Sequence, residues 1–468
     1  MLQLLNHTSG TEMTKKELEP AFIALSELPK DTSQNSDSYQ LDKNKLIAFY
    51  LPQYHRVAEN SEWWGPGFTE WTNVARGKPN FDGHYQPHIP RELGFYDLTY
   101  QDTLHEQADM AKLYGVHGFC FYYYWFSGKR ILEKPLENFL SSDVDINFCC
   151  CWANENWTRT WDGASHNILL GQNYSDEDDE KFIDSLLPYF QDSRYILVEG
   201  KPLLVVYRAK ELPSASKSFA KWRALAKKKG FKGLHIAVVD FYDIDTPNEV
   251  DADALIEFPP HKFNWPQNVP TKVPEFSNKN FTGSLIDYTK IIAQSMCRAP
   301  PPFKLYRGII PSWDNTARRQ NNPTIVVNAS PELYGEWLRY LRAYTRAHNS
   351  EESDNFIFIN AWNEWGEGCH LEPDIEWGLS YLEQTLKSSY YIDQGDKLNE
   401  LRSKLLINIA RIQSENLQIS PEFSANETKT DLLYVRPASG TARKLASVLR
   451  SFPLLYSVCR KVYRRLRG

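Results

Sequence analysis

Eight short apolar runs alternate with helix-like stretches between residues 45 and 390, and this rhythm restricts the possible folds more than any other feature. The runs are 45–51, 118–125, 146–152, 202–207, 234–239, 254–258, 305–310 and 356–360. Each is rich in β-branched or aromatic residues and bounded by polar segments, so each predicts a buried strand. Helical spacing appears at 102–114, 176–190, 216–229, 285–299, 331–348 and 379–387. Strands alternating with helices build either a doubly wound sheet or a barrel. A doubly wound sheet carries a glycine-rich phosphate turn after its first strand. Here the first run ends in Leu51-Pro52-Gln53-Tyr54-His55, which has no glycine, and no P-loop is found. The expected fold class is α/β, a (β/α)8 TIM barrel with long loops.

Functional groups of such a barrel gather at the carboxyl ends of its strands. That rim would hold Tyr54 and His55, then Tyr122, Tyr123, Tyr124 and Trp125, then Asn154, Glu155 and Trp157. Asp240, Tyr242 and His261 follow the fifth and sixth runs, Trp313 and Asp314 the seventh, and Asn363, Glu364 and Glu367 the eighth. Ordinary surface loops would carry more lysine, serine and glycine.

The eighth end reads Asn360-Ala361-Trp362-Asn363-Glu364-Trp365-Gly366-Glu367-Gly368. Making or breaking a glycosidic bond needs one carboxyl to protonate a leaving oxygen and another to act as base or nucleophile. Close carboxylates repel, so one keeps its proton near neutral pH. Indole faces supply flat apolar surface for sugar C–H groups. Glu364 and Glu367 are therefore the candidate catalytic pair. The plainer alternative is that one of them caps a helix or pairs with Arg318 or Arg319.

Aromatic residues make up 14% of the chain, more than core packing usually asks for. The loop after the first run, Trp63-Trp64-Gly65 through Glu70-Trp71-Thr72-Asn73, offers Trp64, Glu70 and Trp71 as a sugar platform; the alternative is a satellite hydrophobic cluster. Glu155 is a third candidate carboxylate, with Asn154 beside it for a sugar hydroxyl; a structural hydrogen-bond network is the alternative. His55, His84, His88 and His261 lack ligand-like spacing, and Pro87 denies His84 and His88 a shared helix. No metal site and no cofactor are expected. The D-x-D pairs Asp243/Asp245 and Asp251/Asp253 point weakly to a metal-dependent nucleotide-sugar transferase. A non-catalytic glycan-binding scaffold is the remaining alternative.

The seven cysteines include three in a row, Cys149, Cys150 and Cys151, inside an apolar run, and no C-x-x-C pair occurs. They read as reduced thiols used as small core residues. Leu2 to Leu5 is too short for a signal-peptide core, and no run of about 18 apolar residues exists to span a membrane. The expected location is cytoplasmic.

Four segments follow: a polar extension at 1–44, a catalytic barrel at 45–390, a helical or linker segment at 391–431 and a basic amphipathic tail at 432–468. After Asp431 the chain has nine cations and no acid, so the body carries −15 against an overall −6. The tail mixes these cations with Leu445, Val448, Leu449, Phe452, Leu455, Val458, Val462 and Leu466. Basic amphipathic segments lie on anionic membranes, so residues 436–467 are expected to touch the inner membrane face; a partner-binding tail is the alternative. The expected partner in the barrel is an oligosaccharide or lipid-linked glycan. No nucleic-acid partner is expected.

These residues also resemble a known family. Tyr50-Leu51-Pro52-Gln53-Tyr54-His55, the tryptophan-rich loop, Gly83-His84-Tyr85-Gln86-Pro87, Trp152-Ala153-Asn154-Glu155, Trp313-Asp314-Asn315-Thr316-Ala317-Arg318-Arg319 and Asn363-Glu364-Trp365-Gly366-Glu367-Gly368 look like the WbsX-like proteins over residues 45–390. Those are bacterial glycosyltransferases linked to O-antigen, capsule and other surface-polysaccharide assembly, with a domain similar to glycoside hydrolase family 99. That hydrolase family implies a metal-free (β/α)8 barrel and a Glu-Trp-His-Glu motif. Its first Glu acts as base on a sugar 2-hydroxyl, giving an anhydro-sugar, and its second is acid/base on the leaving oxygen. Carried over, Glu364 is the base and Glu367 the acid/base. Gly366 stands where the hydrolases have His.

Overall fold

The computed structural model of the protein describes residues 39–158, 168–263, 268–270, 273–349, 354–392 and 397–416. Eight parallel strands form a closed ring: β1 (Lys45–Tyr50), β2 (Val116–Phe126), β3 (Asn147–Trp152), β4 (Lys201–Val206), β5 (His235–Val239), β6 (Ala254–Ile256), β7 (Leu305–Ile309) and β8 (Phe356–Ile359). Each strand pairs with the next in sequence, and β8 returns to β1 with Phe358 opposite Ile47. The barrel is closed, so no edge is left among these eight. All eight predicted runs are strands.

These strands are buried on both faces, which explains why they read as continuous apolar runs. Cys149, Cys150 and Cys151 of β3 are fully buried free thiols, small enough to pack where the barrel wall is crowded. Inside the upper barrel, the ring of Phe49 meets Phe258 edge-on at 4.9 Å and Tyr122 at 5.7 Å. Burying each such ring contributes about 1.5–3 kcal/mol. Together they form an aromatic floor beneath the carboxyl ends of the strands.

The connecting helices are α1 (Gln101–Leu113), α2 (Lys134–Leu140), α3 (Asp176–Phe190), α4 (Ala215–Lys228), α5 (Tyr288–Cys297), α6 (Pro331–His348) and α7 (Ser380–Ser388). Ser175 and Ser330 cap α3 and α6, each accepting a hydrogen bond from a backbone N–H three residues on. The sequence predicts a helix over 285–299, and the structure corrects its start. Ser284–Asp287 is a strand, paired in parallel with Thr324–Val327, and Asp287 then caps α5 through the Thr289 N–H at 2.9 Å. Leu285 and Ile325 are drawn away from helix geometry by a small hydrophobic cluster with Phe81.

Order also begins before residue 45: Tyr39–Leu41 pairs antiparallel with Tyr390–Ile392. Two compact units divide the chain at Met1–Gly395 and Asp396–Gly468. The second contains one described helix, Lys397–Asn416. The basic tail at 436–467 lies outside the described residues. Among the described residues, no helix is long and apolar enough to cross a membrane.

Candidate active site

The chain reverses sharply after β8. Asn363–Glu364 pairs antiparallel with Cys369–His370, a 3-10 turn spans Trp365–Glu367, and Gly368 closes the reversal at φ +56°. Asn363 clamps this turn to the end of β1: it accepts the Leu51 N–H at 2.7 Å and donates to the Leu51 carbonyl at 3.0 Å. The Tyr54 hydroxyl donates to the Asn363 carbonyl at 2.8 Å and accepts the Trp365 N–H at 3.1 Å. These locked contacts fix where Glu364 and Glu367 point.

Both carboxyls meet one guanidinium. Arg318 lies 3.1 Å from Glu364 and 2.7 Å from Glu367, and its Nε donates to Glu70 at 2.7 Å. Glu70 opens a short helix, Glu70–Val74, in the loop after β1 and is fully buried. Arg318 sits in the short helix Thr316–Arg319 after β7. Three loops thus supply three carboxylates and one cation, and the group has an excess of negative charge out of water. Burial pushes the Glu364 carboxyl up to about 8; Arg318 opposes this, while Glu367 and Glu70 add to it. Glu367, with 23% of its side chain exposed, is also raised, first by burial and against the pull of Arg318. Burial works against the Arg318 charge, but the three carboxylates hold it well above its ordinary value. A coupled pair of this kind shares a proton rather than titrating as two separate acids.

Gly366 is required by this packing. A Cβ there would lie 2.2 Å from Glu70 Oε1 and 2.9 Å from Arg318 Nε. The bare backbone between the two acids is the space into which the Glu70–Arg318 pair fits.

Glu364 and Glu367 face a cavity of about 620 Å³. Of the predicted sugar-binding residues, Tyr124, Glu155, Trp157 and Trp313 also line it. So do Tyr122 and His261, both expected at the rim, and Gln53, Tyr207, Phe258 and Arg319, which were not among the predicted site residues. Gln53 Nε2 donates to the Tyr124 hydroxyl at 3.0 Å. His261 is pushed down to about 4 by burial and stays neutral. Aromatic walls with a few convergent polar groups suit a sugar.

The remaining predicted residues stand behind the cavity wall. Tyr54, Asn363 and Glu70 hold the turn and its arginine, as described above. Trp71 donates through Nε1 to the Tyr96 carbonyl at 2.7 Å and packs on Trp365. Trp64 rests on Phe68, while Trp63 packs against Trp157, so the tryptophan-rich loop supports the wall without lining it. Trp125 donates to Asp178 at 3.0 Å. His55 is buried and pushed down to about 4 by that burial. Asn154 bridges the N–H and C=O of Arg208 at 2.7 and 2.8 Å. Asp314 is buried, hydrogen-bonded to His84, Gln86 and the Thr316 N–H; burial opposes its charge, and these bonds nonetheless lower it below the ordinary carboxylate value. It ties the loop after β7 to the loop after β1.

Arg208 stands on the other side of the cavity. It pairs with Glu155 at 2.7 Å, Asp243 at 3.2 Å and Glu211 at 3.5 Å. Three of the four D-x-D acids stand in ion pairs, Asp243 with Arg208, Asp245 with Lys262 and Asp253 with Arg223, while Asp251 meets Arg223 through its backbone carbonyl. Among the described residues, the group of His, Cys, Asp and Glu close enough to hold an ion contains neither D-x-D pair.

The family model described as Glycosyltransferase WbsX matches residues 46–385, the whole barrel from β1 to α7. The chain belongs to the WbsX glycosyltransferase family. Two curated relatives from strains of Xanthomonas campestris pv. campestris, both named "Uncharacterized protein WxcX", are 41% identical to this WbsX-family chain over 341 residues. The match takes in 73% of this chain and 49% of theirs, so the chain spans about half the length of the curated relatives it matches. Among solved structures, the glycoside hydrolase family 99 endo-α-mannosidase of Bacteroides thetaiotaomicron has 15% identity and a TM-score of 0.47, over 78% of this chain and all of that one. A second structure, titled "Glycoside hydrolase-like protein", has 14% identity and the same TM-score, over 78% of this chain and 98% of that one.

Proposed function

We propose that this enzyme moves a glycosyl unit from a glycoside to a sugar hydroxyl during assembly of a bacterial surface polysaccharide, with Glu364 and Glu367 as proton carriers. The observation that carries this reading is the carboxyl pair gripped by one buried guanidinium at the edge of an aromatic cavity. The pair holds one proton. Glu364 is the more strongly raised, so the reactive form is the one in which the proton has passed to Glu367: Glu367 then protonates the leaving glycosidic oxygen while ionised Glu364 draws the proton from the sugar 2-hydroxyl. An anhydro-sugar forms as the glycosidic bond breaks. The incoming hydroxyl then opens it, giving its proton to Glu367 as Glu364 returns its own. Burial strengthens Glu364 as a base, since a carboxylate titrating near 8 holds a proton far better than an ordinary one.

A nucleotide-sugar donor fits this site less well. A diphosphate needs cations, and Arg318 and Arg208 are each surrounded by three carboxylates. Asp243, Asp245 and Asp253 of the D-x-D pairs are likewise tied to Lys or Arg. The acceptor is proposed to be a lipid-linked glycan, with the basic stretch at 436–467 touching the inner membrane face; truncation after Asp431 should then release the protein from membranes.

The decisive test is complementation in the parent polysaccharide cluster with Glu364→Gln and Glu367→Gln, reading glycan structure by mass spectrometry. Loss of the sugar addition with glycan binding retained is expected. Full activity in both variants would make the chain a glycan-binding scaffold. Water as the sole acceptor in a purified assay would make it a hydrolase.

A further inference from the structure

We propose that His88, His370 and Asp374 form a site for one divalent transition-metal ion of the zinc class, separate from the carboxyl pair. None of the three lines the cavity. All three are buried, and one donor atom of each lies within 4.8 Å of the others. Two imidazoles and one carboxylate are a donor set that suits zinc.

The fold places each ligand independently. His370 Nδ1 donates to the Glu372 carbonyl at 2.8 Å, which fixes the tautomer and leaves Nε2 with a lone pair. This is the backbone support that metal-binding histidines commonly have. The His370 ring also stacks on Trp365 at 3.7 Å. His88 is held against the Tyr85 ring at 4.4 Å. Asp374 accepts the Trp377 N–H through Oδ1 at 2.6 Å and turns Oδ2 towards His370 Nε2 at 3.8 Å. Backbone hydrogen bonds from Ile375 to Ile89 and from Arg91 to Pro373 bind the two segments side by side.

His88 Nδ1 lies 2.8 Å from His370 Nε2, so one proton joins the rings. Since His370 Nε2 is the acceptor, that proton belongs to His88 Nδ1. The ion takes its place: the proton moves through solvent to His88 Nε2, and no net proton is released. Tetrahedral zinc ligands stand about 3.3 Å apart, so the rings part by about 0.5 Å. Water supplies the fourth ligand. The ion would pin the loop after β1 to the segment that follows the catalytic turn.

The test uses the full chain, stripped with EDTA and titrated with Zn²⁺ by calorimetry, with retained metal counted by mass spectrometry after desalting. One equivalent is expected. Asp374→Asn keeps an acceptor for Trp377 and should bind at least about tenfold more weakly. X-ray absorption should show only nitrogen and oxygen ligands. Retention well below one equivalent, equal affinity in Asp374→Asn, or sulfur ligands would overturn the site. Should Asp374→Asn fail to fold, the wild type alone decides: Zn²⁺ must raise its melting temperature after EDTA treatment, and no rise overturns the proposal.

Discussion

Arg318 and Arg208 stand beside one cavity, and each is paired with three carboxylates. Their settings differ. The Arg318 side chain is 8% exposed and its partner Glu70 is fully buried, whereas Arg208 is 23% exposed and Glu155 is half exposed. Water screens the second cluster and leaves it a surface network. In the first cluster desolvation forces a proton onto the acids. The same stoichiometry thus gives a proton store on one wall and a brace on the other. Solvent access, not the number of ion pairs, separates the two clusters, and it is the reason the proposed chemistry is assigned to the first.

The largest test of this contrast is catalytic. Glu364→Gln or Glu367→Gln should lower the rate of sugar addition by about 10²–10⁴-fold, while Glu155→Gln should leave most of it. An equal loss at Glu155 would break the comparison. Next in size is stability. Arg318→Ala leaves buried Glu70 and Glu364 and partly exposed Glu367 without their cation and should cost about 3–5 kcal/mol in denaturant unfolding. Gly366→Ala should cost about 1–3 kcal/mol, because its Cβ must push Glu70 off Arg318. Activity should fall further than that loss alone implies.

A pH series sharpens the same point. Burial raises the shared titration of Glu364 and Glu367 in the folded chain, with Glu364 pushed up to about 8 from an unfolded value of about 4.3. The folded chain therefore binds more protons between those limits. Its contribution to stability is complete below about 4.3 and is lost as pH rises through 8, by at most about 1.4 kcal/mol per pH unit. Glu364→Gln lacks this slope, so its melting temperature should overtake that of the wild type at alkaline pH. The smallest effect belongs to Arg208→Ala, under about 1 kcal/mol and weakened by salt.

All eight strands were legible in the sequence because burial on both faces writes a continuous apolar run. Residues 284–287 misled because Leu285 and Ile286 suit a strand and a helix equally, and only their distant partners Ile325 and Val326 decide between them. At the site, Glu364 and Glu367 were visible as a local pattern. The partnership of Arg318 with Glu70 was not, since 248 residues separate them. Arg318 appeared as a rival explanation for the pair and within a family motif, without a role, and it proves to join the two acids at the cavity. Tyr54, Trp71, Trp125 and Asn363 were expected to meet the substrate, and none of them lines the cavity. Sequence does not say which side of a loop faces inward, and these four support the wall from behind.

The clasp between Asn363 and Leu51 has a consequence for the chain as it is made. Synthesis runs from the amino end, so β8 is the last barrel strand to leave the ribosome. Until it arrives, β1 and β7 have bare edges and Leu51 has no Asn363 to hold it. Glu364 and Glu367 are translated only after that strand. If the proposed roles of Glu364 and Glu367 hold, an unfinished chain lacks both carboxyls and stays inactive until its own barrel has shut.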